Sequence, residues 1–230
     1  MEIVSKSKCS GCHACFNICP KDAITMVSDE NGFKYPQIDE NLCVHCNLCK
    51  KVCPVLKDIK KENDIHAYAC INKNDEVRKN SSSGGIFYLL AENILSKNGV
   101  VFGARFNDDF DVVHDYIEKI EDISLFQGSK YVQSTIHDSF KKAKKFLDSN
   151  RLVLFTGTPC QIEGLLSYLR KDYSNLITQD IVCHGVPSPK LFKLYKENIK
   201  QIYKDDITKI NFRKKTNGWK HYHVKIDFNN

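Results

Sequence analysis

Eight cysteines within the first 53 residues constrain this chain more than any other feature. Cys9, Cys12, Cys15 and Cys19 are followed by Pro20, and Cys43, Cys46, Cys49 and Cys53 by Pro54. The pattern C-x2-C-x2-C-x3-C-P therefore occurs twice, every member displaced by 34 residues. The N-terminus, MEIVSKSKCS, lacks the apolar stretch of a secretory leader, so a cytoplasmic chain is expected. Thiols are kept reduced there, which argues against a disulfide scaffold and makes metal binding the leading reading.

Zinc closes its shell with four ligands, commonly two pairs separated by a longer loop. It gives no reason for a third cysteine two residues on, nor for a proline after the fourth. The spacing is instead the run of bacterial two-cluster ferredoxins, in which three thiolates wrap one cubane and the fourth ligates the other. Cys9, Cys12, Cys15 and Cys53 are thus expected to hold one 4Fe-4S centre, and Cys43, Cys46, Cys49 and Cys19 a second. Small Gly11 and Ala14 would let backbone amides approach the sulfurs. His13 and His45 read as surface or supporting residues, because the cysteines already complete the ligand sets. Between the repeats, AITMVSDENGFKYPQID reads as a hairpin around Asn31-Gly32.

Of the 230 residues, 42% are hydrophobic and 27% charged, enough apolar surface for a proper core. No run approaches the ~18 apolar residues of a membrane span. The net charge is +6, but the lysines of KKAKKF and YKENIKQIYKDD are spread over expected solvent faces of helices. A nucleic-acid footprint would concentrate them among aromatics, so no nucleic-acid partner is expected. Residues 1–57 are read as an α+β ferredoxin-like dicluster domain and Lys57–Ile65 as a polar linker. Residues 66–230 are read as an α/β domain with a mixed central sheet. Its expected strands are HAYACIN, GVVFGARFN, DVVHDYIE, RLVLFTGT, LITQDIVCHG, ITKINFRKK and HYHVKIDFNN. Its expected helices begin at SSSGG, HDSFKKAKKFLDS, PCQIEGLLSYLRK and SPKLFKLYKENIKQIY.

Loops after strand C-termini build the binding crevice of such sheets, and three have suitable chemistry. SSSGG (Ser81 to Gly85) offers hydroxyls and exposed amides at a helix start, apt for a phosphate or a flavin ring. In TGTPCQ, Thr158 is an N-cap, Pro159 fits the first turn and Gln161 completes a capping box. That sets Cys160 where the helix dipole favours a thiolate. VCHGVPSP places Cys183 and His184 at the end of the neighbouring strand. Cys160 and Cys183 are candidates for a further metal centre that two cysteines do not complete, and His184 is a candidate proton donor.

Taken together, SSSGGIFYLLAENIL, VVFGARF, QGSKYVQS, LFTGTPCQIEGL and DIVCHGVPSP resemble the family of coenzyme F420 hydrogenase and dehydrogenase beta subunits. An N-terminal two-cluster ferredoxin module is often fused in that family. The resemblance implies an iron–sulfur flavoprotein oxidoreductase that passes electrons between clusters, FAD and a redox partner protein or reduced carrier. It implies that Ser82, Ser83, Gly84, Gly85, Lys130 and Tyr131 contact the flavin, with Thr158 in the cofactor-binding set. It also implies that Cys160 and Cys183 match cysteines able to hold a third 4Fe-4S cluster with later ones. The chain ends at Asn230 before such cysteines, so it reads as C-terminally incomplete for that cluster and for the flavin pocket. Two other functions fit the same residues: a ferredoxin-type carrier whose second domain only docks a partner enzyme, and a non-redox role in a surface-polysaccharide pathway.

Overall fold

The computed structural model describes residues 2–57, 65–216 and 218–229, so residues 58–64 of the expected linker lie outside the described residues. In chain order the first elements are α1 (Ala14–Ile18), β1 (Ile24–Ser28), β2 (Lys34–Ile38) and α2 (Leu48–Lys51). Next come α3 (Asp75–Asn80), α4 (Ile86–Leu95), β3 (Val100–Phe106), β4 (Val112–Ile117), α5 (Ser139–Asp148) and β5 (Val153–Gly157). The chain finishes with α6 (Pro159–Leu169), β6 (Leu176–Asp180), α7 (Pro189–Tyr203), β7 (Ile207–Lys214) and β8 (His223–Phe228).

The sequence repeat is a backbone repeat. Each cysteine run enters its short helix through a left-handed residue, His13 at φ 64° and Asn47 at φ 58°. Two residues earlier, Gly11 and His45 have φ 64° and 50°. Between the runs, β1 and β2 pair antiparallel from Ile24–Ile38 to Ser28–Lys34. Gly32 turns the chain at φ 87°, but Asp29 anchors the loop: its Oδ1 accepts the Asn31 and Phe33 amides at 3.0 and 2.9 Å.

The central sheet has the order β4-β3-β5-β6, with β3, β5 and β6 parallel and β4 antiparallel at one edge. It is the mixed sheet expected from the alternating apolar runs. Ala91, Ile94 and Leu95 of α4 pack on one face against Val101 and Leu154. Phe140 and Ala143 of α5 and Leu165 of α6 pack on the other against Val100, Phe102 and Phe155. Because α4 leads into β3 and α6 follows β5, both helices begin at the edge where the parallel strands end, on opposite faces. The β7–β8 hairpin forms its own sheet and is held by Phe192, Ile207 and Ile210, with Phe106 and Phe212 packed against them.

Three expectations are corrected. HAYACIN is no strand: it runs exposed past the start of α4, where the Asn72 amide donates to the Gly84 carbonyl at 2.7 Å. Apolar alternation makes a strand only where an edge is free to pair, and this stretch has none. LITQDIVCHG stops being a strand at Asp180, leaving Ile181 to His184 exposed. Lys196 of α7 does not face solvent but is buried, its ammonium 2.9 Å from Asp111. Helix α3 was not anticipated, although Asn74 caps it by accepting the Glu76 and Val77 amides.

The cysteine-rich part docks on the sheet's α5–α6 face. Asn17 is buried and donates Nδ2 to the carbonyls of His13 (3.1 Å) and His137 (2.8 Å). Its Oδ1 accepts the Lys141 amide at 3.3 Å, in the first turn of α5, where Asp138 supplies no side-chain cap. Asn17→Ala should therefore cost about 2–3 kcal/mol, since it strands buried groups on both parts. Urea unfolding of the anaerobic protein measures this, and a loss under about 0.5 kcal/mol would show the contact to be incidental.

Candidate functional site

The eight N-terminal cysteines line two hollows. Cys9, Cys12, Cys15 and Cys53 surround one of about 350 Å³, and Cys19, Cys43, Cys46 and Cys49 surround the other, of about 360 Å³. The geometry thus groups the sulfurs in the crossed sets read from the spacing. Backbone amides point at them: Gly11 to Cys9, Ala14 to Cys12, Phe16 to Cys15, Lys50 to Cys49, and Ala23 to Cys19 at 3.3 Å. Burial nevertheless pushes the Cys12 thiol up to about 11 and raises Cys15 as well. Thiolates gathered there need a cation among them, which is what iron supplies.

Zinc fits less well. It would draw four sulfurs to about 3.8 Å from one another, given Zn–S bonds near 2.3 Å. Among the described residues, the only three or more His, Cys, Asp or Glu ligand atoms within 4.8 Å of one another belong to Glu40, Cys43 and His45. Neither quartet is drawn into so tight a tetrahedron.

The two hollows differ in what covers them. Gly11 to Cys15 are all buried, and α6 lies directly on Cys12. A Cβ on Gly164 would come 3.1 Å from both Cβ and Sγ of Cys12. Cys160 is close enough that its charge raises Cys9 and Cys12, although burial is the larger cause. His13 is not a surface residue: it lines this hollow, buried, with Nδ1 unpartnered. Burial pushes its pKa down to about 3, so it is a neutral imidazole. A buried unpaired polar atom costs about 1–3 kcal/mol, and a cluster sulfur in the hollow would satisfy it. Around the second hollow Cys46 is exposed, and the exposed His45 has Nδ1 4.0 Å from Cys43 Sγ.

The start of α6 is held by a buried polar chain. Gln161 Oε1 accepts the Thr158 amide at 2.9 Å, and its Nε2 donates to Ser134 Oγ at 2.8 Å. Ser134 Oγ is 3.0 Å from His114 Nδ1, and His114 Nε2 is 3.0 Å from the Thr156 carbonyl. A carbonyl only accepts, so Nε2 carries the proton and Nδ1 accepts from Ser134. Burial holds His114 neutral, down to about 4. His114 and Ser134 were missed from the sequence. The signal was the alternation in DVVHDYIE, which turns His114 inward beside Val112. Thr158 Oγ1 lies 3.1 Å from Cys160 Sγ, so Thr158 belongs to this side of the sheet.

On the opposite face the two loops expected at a cofactor come together. Ser129 Oγ donates to Ser82 Oγ at 2.7 Å, and Gln127 Nε2 to Ser81 Oγ at 3.4 Å. Gly85 has φ 82° at the start of α4, and a Cβ on Gly84 would meet the Cys70 carbonyl at 2.6 Å. Ser83 is exposed beside them, and so is Tyr131. Lys130 Nζ donates to the Gln127 and Gly128 carbonyls at 3.1 and 3.3 Å, and burial brings its pKa down to about 8. Lys215 donates to the Ser81 carbonyl and lies over Trp219, while Arg213 lies over Tyr222. The result is a wall of hydroxyls, cations and aromatic rings. Cys183 is exposed, its Sγ accepting the Gly185 amide at 3.4 Å, and His184 is exposed next to it. Among the described residues, neither Cys183 nor Cys160 joins any such group of three ligand atoms.

Gly164→Val should lift α6 off Cys12 and block assembly at the first quartet alone. Anaerobic reconstitution should then give about four irons where the parent takes about eight. An unchanged iron count would remove the α6 contact from any part in the centre.

Residues 8–56 match the 4Fe-4S dicluster domain, and residues 150–229 match the C terminus of the Coenzyme F420 hydrogenase/dehydrogenase beta subunit. Across 92% of its length the chain is 21% identical to the F-type component of the F(420)H(2) dehydrogenase of Methanosarcina mazei, spanning 65% of that protein. It is 29% identical over 171 residues to the coenzyme F420-dependent sulfite reductase of Methanocaldococcus jannaschii, or 71% of this chain and 26% of that one. An uncharacterized ferredoxin of the same organism is 38% identical over 69 residues, 27% of this chain and 88% of the ferredoxin. In fold the chain is similar to a chain of the F420-reducing [NiFe] hydrogenase complex from Methanosarcina barkeri. The TM-score is 0.50 at 16% identity, over 74% of this chain and 61% of that one. Among the described residues, no helix is long and apolar enough to cross a membrane. Cysteine runs, mixed sheet and both matched regions lead to one assignment: the chain belongs to the family of coenzyme F420 hydrogenase/dehydrogenase beta subunits and carries a 4Fe-4S dicluster domain at its N-terminus.

Proposed function

We propose that the chain is an iron–sulfur oxidoreductase subunit that relays electrons between two 4Fe-4S clusters and a flavin, FAD in the first instance, and exchanges them with a redox partner protein. One observation carries this reading. The first quartet is packed against the start of α6, and that helix begins at the same sheet edge as the Ser81–Gly85 wall. The names of the relatives, F420H2 dehydrogenase and F420-dependent sulfite reductase, support an oxidoreductase acting with a flavin-like coenzyme.

Ser82, Ser83, Gly84 and Gly85 would receive a phosphate or ring edge, since α4 starts there with amides free of helical partners. Gly84 keeps the backbone bare against Cys70, and Tyr131 and Trp219 offer ring faces. Lys130 and Lys215 would bind anionic groups as point charges. When bound, a flavin supplies two-electron chemistry while clusters pass single electrons. Cys160, with Thr158 beside it, is assigned to the surroundings of the first quartet rather than to a third cluster with Cys183.

Reconstitution under argon tests the reading: about eight irons and one FAD per chain are expected. Iron that stalls near four, or a protein that takes no flavin, would overturn it. Lys130 adds a pH signature. Its ammonium is fully present well below about 8 and is lost as pH rises through that value. FAD should therefore bind roughly five- to tenfold more weakly at pH 9 than at pH 7, the worth of one charge-assisted hydrogen bond. Lys130→Met should bind weakly at both pH values, and a pH dependence that survives the substitution would place Lys130 outside the site.

A further inference from the structure

The two cysteine loops share one backbone, yet only the first is covered. Gly11, Cys12 and His13 are buried, whereas their repeat counterparts His45, Cys46 and Asn47 are all exposed. Beside these, Leu42 and Val44 stand 52% and 55% exposed. The charges around this face are one-sided once internal pairs are set aside. Asp22 is held by Lys141 at 3.1 Å, the Asp39 carboxylate accepts the Asn41 amide at 2.9 Å, and Glu40 is engaged as well. Among the described residues, Lys21, Lys50 and Lys51 have no ion-pair partner, and all three are exposed.

We propose that the face formed by Leu42, Val44 and Cys46, rimmed by Lys21, Lys50 and Lys51, is the docking surface for a small acidic electron-carrier protein. A few apolar side chains inside a ring of cations suit a small, transient interface steered by charge. A second copy of the chain would bring lysines against lysines, and like charges opposed at an interface are costly. The partner exchanges single electrons: what the carrier loses the chain gains, and no bond is made or broken. The inference names the partner face of the proposed relay and rests on the second quartet being a cluster site.

The test uses the full cluster-loaded chain with a bacterial flavodoxin, a small acidic carrier, as probe. Calorimetric titration should give saturable binding at low salt that weakens at least about tenfold near 0.2 M salt. Lys50→Glu with Lys51→Glu should weaken it at least tenfold at low salt with the iron count unchanged, while Lys193→Glu on α7 leaves it as it was. Should the double variant lose iron, carbodiimide cross-linking of the unaltered chain decides, and adducts must map to Lys21, Lys50 or Lys51. Cross-links elsewhere, binding indifferent to the double substitution, no flavodoxin binding, self-association through this face, or binding only to anionic lipid vesicles would each overturn the proposal. An iron-free second quartet with intact, lysine-dependent flavodoxin binding would sink the relay reading while leaving the surface.

Discussion

The packing of α6 on the first cysteine run is the contact on which the rest of the arrangement depends. It requires two residues without side chains. Gly164 lets the helix lie on Cys12, and Gly11 leaves room for the Gln133 amide and the Lys34 carbonyl, which would lie 2.8 and 2.9 Å from an added Cβ. Gln133 in turn accepts the Lys34 amide, and Asn17 caps α5 from across the boundary. The repeat provides an internal control. At the position equivalent to Gly11 stands His45, with nearly the same left-handed backbone, and it is tolerated because nothing is packed upon it. Backbone conformation alone disfavours a side chain there by about 1 kcal/mol; the covering protein is what makes glycine necessary at the first site.

That covering separates the electrostatics of two sites that share one motif. Around the first quartet, burial opposes both thiolates and imidazolium, so Cys12 is pushed up and His13 down by the same loss of water. Around the second, Cys46 and its neighbours remain in water and lysines stand at the rim. Cluster potentials depend on hydrogen bonds to sulfur and on exposure, so two centres with one ligand pattern need not share one potential.

Much of this was legible in the sequence, for identifiable reasons. The crossed grouping of the cysteines follows from short spacings that leave little conformational choice. The strands β3, β4 and β5 were found because each is a dense apolar run, and the start of α6 because Thr158, Pro159 and Gln161 each have a local role. What failed depended on partners that no local pattern reveals. HAYACIN alternates like a strand but has no edge to pair with, and the run ending in Cys183 leaves the sheet at Asp180. Lys196 is buried because Asp111 waits 85 residues away in sequence. Ser134 and His114 sit 20 residues apart, and only the closed sheet brings them within 3.0 Å.

That last pair shows how the sheet and the first centre are mechanically joined. Thr156, the last residue but one of β5, accepts from His114 on β4, while Gln161 reaches from α6 to Ser134 on the segment that also grips the cysteine-rich part through Gln133, Thr135 and His137. Every polar atom along the chain from Gln161 to Thr156 has a partner, and the imidazole at its middle is held neutral by burial. A fully paired, uncharged network in a low-dielectric interior gains strength from its neighbours and has no titrating member near neutral pH to loosen it. The start of α6 is therefore fixed relative to both the strand ends and Cys12 without placing a charge beside the first quartet. Charge changes can then occur in the centre itself while its protein surroundings stay still.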